Sequence, residues 1–117
     1  MQVLVHCDEQ IVCSEELLRR VEGVVAGTLE RFGTRIARVE ARLRDLNSTR
    51  PGERDKQCSL EAKLAGAASV LVSHDAVTLT EAIHEAAGKL KRLVARELRQ
   101  LDDTLDSPQA NPSARPL

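Results

Sequence analysis

RIARVEARLRDLN, Arg35 to Asn47, is the stretch on which the fold turns. Val39, Ala41 and Leu43 alternate with Arg38, Glu40, Arg42 and Arg44, a period of two that belongs to a strand buried on one face only. Immediately upstream the period is different. Leu17, Val21, Val24, Val25, Thr28, Leu29 and Phe32 recur at helical spacing, behind an N-cap hydroxyl at Ser14 and two first-turn carboxylates, Glu15 and Glu16. Gly33 stands where a left-handed C-terminal residue belongs. The pattern predicts a helix over Ser14–Phe32, weakened by Gly23 and Gly27, each of which costs about 1 kcal/mol relative to Ala in a helix interior. Upstream again, QVLVHC (Gln2–Cys7) alternates Val3, Val5 and Cys7 against Gln2, Leu4 and His6, a short first strand.

Downstream, NSTRPGERD is a loop in which Pro51-Gly52 suits the central pair of a type II turn. DKQCSLEAKLAG resumes the alternation, with Cys58, Leu60, Ala62 and Leu64 inward and Ser59, Glu61 and Lys63 outward. After a turn at Gly66, SVLVSH repeats it with Val70 and Val72, so three neighbouring strands form an antiparallel meander. TLTEAIHEAAGKLKRLVARELRQLDD, Thr78 to Asp103, returns to the helical period through Leu79, Ile83, Ala86, Leu90, Leu93/Val94 and Leu101. Its opening TLTE is a capping box. The remaining TLDSPQANPSARPL holds three prolines and no period, as a flexible tail does. The expectation is an α+β domain over residues 1–103, ordered β-α-β-β-β-α, with both helices on one face of a four-stranded sheet and a tail over 104–117.

Composition narrows the function. Seventeen basic residues stand against eighteen acidic ones, so nucleic-acid affinity requires charge gathered on one surface. Phe32 is the sole aromatic residue, which removes the platforms on which single-strand readers stack bases. No Gly-rich phosphate loop occurs, and His6, His74 and His84 have no neighbouring nucleophile, so a binding protein is expected rather than an enzyme, with no cofactor and no small-molecule substrate. Cys7, Cys13 and Cys58 are odd in number and form no CxxC; they are expected to be reduced, Cys7 and Cys58 as small buried hydrophobes. His6, Cys7 and Cys13 have weak spacing for zinc, and no metal site is expected. No apolar run approaches the roughly 18 residues of a membrane span, and no secretory signal opens the chain; a cytoplasmic protein without membrane contact is expected.

The last helix carries the strongest functional signal. Lys89, Arg92, Arg96 and Arg99 fall within an arc of roughly 80° beside the apolar stripe, with Lys91 apart. Cations near a helix C-terminus stabilise it by about 0.3–1 kcal/mol each, and Glu85 precedes Lys89 as a favourable i,i+4 pair. Arg92, Arg96 and Arg99 have no such carboxylate, since Gly88, Arg92 and Ala95 precede them. That arrangement points to an external polyanion. Arg38, Arg42 and Arg44 on the outward face of the Arg35–Asn47 strand are a second candidate row; the plainer reading is a solvated sheet face.

Element order together with MQVLV, SEELLRRVEGVVAGTLERF and above all TLTEAIHEAAGKLKR resembles the ribosome hibernation-promoting factor / ribosome-associated inhibitor A family, also called the sigma-factor modulation protein family. The resemblance runs from Met1 to about Asp103. Ala82, Ile83, Lys89, Leu90 and Arg92 match the final-helix pattern of that family, while His84 replaces its usual acidic residue. Asp8-Glu9, Thr80, Gly23, Gly27 and Asp102-Asp103 also depart from it, marking a divergent short form. The resemblance implies a factor that docks on the small ribosomal subunit near the decoding region and silences idle ribosomes under stress, through basic side chains on the backbone of 16S rRNA. Lys89, Lys91, Arg92, Arg96, Arg99, Arg38, Arg42 and Arg44 are the candidate rRNA contacts. The alternative is a protein-interaction module on the same fold with little ribosome affinity.

Overall fold

Six elements form in the expected order. The computed structural model describes residues 1–46 and 52–106, with side chains up to residue 104. The elements are β1 (Gln2–Cys7), α1 (Glu15–Leu29), β2 (Ile36–Asp45), β3 (Lys56–Leu64), β4 (Ser69–Ala76) and α2 (Leu79–Asp106), with a 3-10 turn over Glu30–Arg35 joining α1 to β2. The strands lie in the order β1-β2-β3-β4. β2–β3 and β3–β4 pair antiparallel as the meander requires, whereas β1 pairs parallel to β2. A parallel pair needs a crossover rather than a hairpin, and α1 supplies it.

Register explains the two layers. Val39 faces Ala62, Ala41 faces Leu60 and Leu43 faces Cys58 across β2 and β3, so the apolar positions of neighbouring strands share one face. Onto that face α1 lays Leu17, Val21, Val25 and Leu29, and α2 lays Ala82, Ile83, Ala86, Ala87, Leu90, Val94 and Leu98. Among the described residues the buried set contains no polar or charged side chain. Leu60, fully buried on the third strand, is a position where truncation to Ala typically costs about 2–5 kcal/mol.

Local chemistry sets most boundaries. The backbone N–H of Leu17 donates to Ser14 Oγ (3.1 Å), and that of Glu81 donates to Thr78 Oγ1 (3.1 Å), capping the two helices. The reciprocal Glu81 half of the capping box does not form among the described residues. Gly66 takes φ 72° in the β3–β4 turn, where Ala67 N–H donates to the Leu64 carbonyl (3.3 Å). α1 stops at Leu29, earlier than expected: the chain tightens into the 3-10 turn, inside which Gly33 has φ 55°. Gly23 and Gly27 are exposed, and a methyl group on either meets no atom within 4 Å, so neither supports a close backbone approach. α2 runs three residues beyond the expected Asp103. The rest of the expected tail, and Pro51 of the expected turn, lie outside the described residues; Gly52 has φ 75°.

The cysteines depart from expectation. Cys7 and Cys13 are joined in a disulfide, their Cα atoms 5.8 Å apart, instead of being reduced. The reason is a chain reversal at Asp8. Its N–H donates to the Leu43 carbonyl (3.1 Å), its carbonyl accepts Ile11 N–H (3.2 Å), and its carboxylate accepts the N–H groups of Gln10 (3.0 Å) and Asp45 (3.1 Å). That knot folds the β1–α1 loop back on the end of the sheet. Cys58 is free and fully buried, and burial pushes its thiol up to about 12.

Candidate nucleic-acid interface

The helical period of α2 decides where its charges stand. With Ile83, Leu90 and Val94 turned into the sheet, Lys89, Arg92, Arg96 and Arg99 emerge along one exposed flank. Across from them the 3-10 turn that follows α1 brings in Arg31, whose guanidinium lies 4.8 Å from the centre of the Phe32 ring. Arg31, Lys89, Lys91, Arg92, Arg96 and Arg99, together with Leu93 and Ala95, line an open groove of about 560 Å³. Among the described residues six cations and no carboxylate line it. Since the chain has seventeen basic residues against eighteen acidic ones, concentrating six here leaves the rest of the surface net acidic.

The cations differ in what holds them. Lys89 Nζ donates to the Ser73 carbonyl on β4 (3.0 Å), so the expected Glu85–Lys89 pair does not form. Arg31, Lys91, Arg92, Arg96 and Arg99 have no ion-pair partner among the described residues. Nor does Gly88 crowd the ridge: a methyl group there would touch Arg92 Nη1 at an ordinary 3.7 Å. Unpaired guanidinium groups on a rigid helix present planar forks suited to phosphate oxygens, at little cost in lost intramolecular bonds.

Arg38, Arg42 and Arg44 are not brought to this groove. They project from the opposite face of the sheet, and Glu40 lies among them, 3.7 Å from Arg38 and 3.6 Å from Arg42. His6 joins the same carboxylate at 3.2 Å, and Arg44 Nη1 donates to Gln57 Oε1 (3.4 Å). The row is therefore partly neutralised, in contrast to the groove. His6 is thus engaged with Glu40, and among the described residues no group of three metal-ligating side chains gathers.

Arg35 is spent on a different task. It grips Asp102 through two hydrogen bonds, at 2.6 and 2.9 Å, tying the C-terminal part of α2 to the segment that enters β2. The hydrogen bond from Arg35 lowers the pKa of the Asp102 carboxyl, and the same bond raises that of Arg35. This clasp sits next to the groove in sequence but removes its own charge from it, and Arg31, which sequence reasoning missed, enters instead.

A two-layer β-α-β-β-β-α protein with one uncompensated cationic groove is thus the class that fold and site define. No family model and no curated protein matches the sequence. Among solved structures, the N-terminal domain of Protein Y from Thermus thermophilus superimposes with a TM-score of 0.67 at 20% identity, covering 82% of this chain and 98% of that one. A ribosomal subunit interface protein from Coxiella burnetii superimposes with a TM-score of 0.64 at 13% identity, covering 85% of this chain and 99% of that one. At these identities the likeness establishes a shared fold. Among the described residues, no helix is long and apolar enough to cross a membrane.

Proposed function

We propose that this protein is a ribosome-associated factor that inhibits translation by occupying the small subunit near the decoding region. The observation that carries the reading is the groove: among the described residues it gathers six cations, no facing carboxylate and no ion pair to any of the six, with only Lys89 tied to a backbone carbonyl. The near absence of aromatic residues fits contact with the sugar-phosphate backbone of folded rRNA rather than stacking on unpaired bases. The fold shared with a ribosomal subunit interface protein supports the ribosome as partner. Arg92, Arg96 and Arg99 are assigned to phosphate contact, with Lys91, Arg31 and Lys89 extending the charged track. Arg38, Arg42 and Arg44 belong to a separate surface. The factor acts by occupancy, making and breaking no covalent bond, and its place of action is the cytoplasm under conditions that idle ribosomes.

The test is a sucrose gradient of lysate from resting cells, probed for this protein. It is expected in the small-subunit fractions at low salt and at the top of the gradient at high salt. Protein found at the top under every condition, or captured with a single protein partner and no rRNA, refutes the proposal.

A further inference from the structure

We propose that Cys13 is a thiol-modification site, at which a low-molecular-weight thiol opens the Cys7–Cys13 disulfide and releases the start of α1. Three observations on this end of the molecule carry it. The two sulfurs are unlike in setting: Cys7 ends β1 and packs against the core, whereas Cys13 is exposed in the loop. Cys13 also directly precedes Ser14, the residue that caps α1 through Leu17 N–H. The third cysteine is no competitor. Cys58 lies fully buried on β3 on the far side of Leu43 from Cys7, so exchange with it is closed while the fold persists.

The chemistry follows from access, because thiol–disulfide exchange goes through the sulfur that the incoming thiolate can reach. The thiolate attacks Cys13 Sγ, forming a new S–S bond there. The old bond breaks, its electron pair leaves on Cys7 Sγ, and that sulfur takes a proton from water. A second small thiol attacks the reagent sulfur of the mixed disulfide, releasing a small disulfide and leaving Cys13 as a thiol. Two small thiols are oxidised to one disulfide while the protein gains two electrons and two protons. A small disulfide drives the same steps in reverse.

The structural consequence is local. In the oxidised protein the loop is held at two points, by the disulfide and by the Asp8 bonds to Gln10, Leu43 and Asp45. Reduction removes the first and leaves the second. The amides of residues 8–18 then gain the most exchange, because they open locally as well as with the whole fold, while α2, which packs on α1, β3 and β4 and carries the groove cations, gains only what the lower global stability allows. A cross-link closing so short a loop is expected to raise the unfolding midpoint by roughly 10 °C.

The experiment exposes the oxidised full-length protein briefly to reduced glutathione, quenches with acid and locates the adduct by peptide mass spectrometry. A parallel sample, fully reduced, is followed by thermal unfolding and by amide hydrogen exchange. The expected results are glutathione on Cys13 and not on Cys7, a midpoint lowered by roughly 10 °C, and a rise in exchange larger over residues 8–18 than in α2. A Cys13→Ser variant should match the reduced wild-type protein in midpoint. An adduct on Cys7, an adduct shared equally between the two, or protein in which both thiols stay free after treatment with oxidised glutathione overturns the proposal. So does reduction that leaves the midpoint and the exchange pattern unchanged. None of these readouts involves the ribosome, so the inference stands or falls apart from the proposed function.

Discussion

Replacing Arg92, Arg96 and Arg99 together by Gln should change the salt dependence of small-subunit binding far more than it changes the fold. Six cations line the groove, and one of them, Lys89, already donates to the Ser73 carbonyl. If the other five each neutralise a phosphate, log affinity falls with log salt at a slope of about −4, from roughly −0.7 to −0.9 per phosphate. A fourfold rise in salt, from about 50 to about 200 mM, then weakens wild-type binding on the order of 200-fold. Removing three of those charges leaves a slope of about −1.6 and a loss of only about tenfold over the same range. Stability should move little, because none of the three arginines has an ion pair to lose among the described residues. α2 runs on to Asp106 with no basic residue in its last turn, so the helix dipole adds little, and three exposed substitutions should cost no more than about 1–2 kcal/mol together. Binding of a labelled protein to purified small subunits over a potassium chloride series gives the slopes, and urea unfolding gives the stability. Equal slopes for wild type and triple variant would refute the assignment. A triple variant that cannot fold would refute the claim that these side chains are free of structural duty.

Other expectations concern the scaffold. Gly23→Ala and Gly27→Ala should each stabilise by about 0.4–1 kcal/mol, since both sites are exposed helix interior with open space for a methyl group; a fall in thermal midpoint for either would contradict the packing described. Asp102 is held below its ordinary value by Arg35. Its contribution is present above the unfolded carboxyl value of about 3.9 and is lost as pH falls through the lower folded value, so the wild-type advantage over Asp102→Asn in urea midpoint should shrink below about pH 4. An advantage that persists undiminished at pH 2 would rule out the clasp as its source. Cys58, with its thiol pushed up to about 12 by burial, should resist iodoacetamide at pH 8 in the native protein and react on unfolding. Rapid labelling of the folded chain would mean the sheet opens far more readily than its packing implies.

How much of this was legible in the sequence depends on the range of the interaction that decides each feature. Strands and helices were, because the period-two run Val39–Ala41–Leu43 and the α2 stripe through Ile83 and Leu90 are set by burial of one face, which is written locally. Caps at Ser14 and Thr78 were legible for the same reason. The parallel pairing of β1 with β2 was not, since nothing within Gln2–Cys7 names a partner strand. Nor was the disulfide: six residues of separation say little until the Asp8 bonds fold the loop back. In the site, the unpaired Arg92, Arg96 and Arg99 could be inferred by noting which carboxylates were missing four residues upstream. Lys91, on the wheel apart from the ridge, nonetheless lines the groove, and Arg31 enters it from the 3-10 turn after α1. Finding Arg31 required knowing that α1 ends beside the second half of α2. The Arg38–Arg42–Arg44 row was the lesser candidate, more plainly a solvated face; Glu40 stands between two of its members in the sequence, and the fold places its carboxylate within ion-pair distance of both.

The most direct test compares the two cationic faces on one scaffold. Small-subunit affinity is measured at a single low salt concentration for wild type, for Arg92/Arg96/Arg99→Gln and for Arg38/Arg42/Arg44→Gln. Loss of binding in the first variant with affinity retained in the second is the predicted result. Retained binding in the groove variant, or a loss confined to the sheet-face variant, would contradict the claim that the α2 groove grips the ribosome.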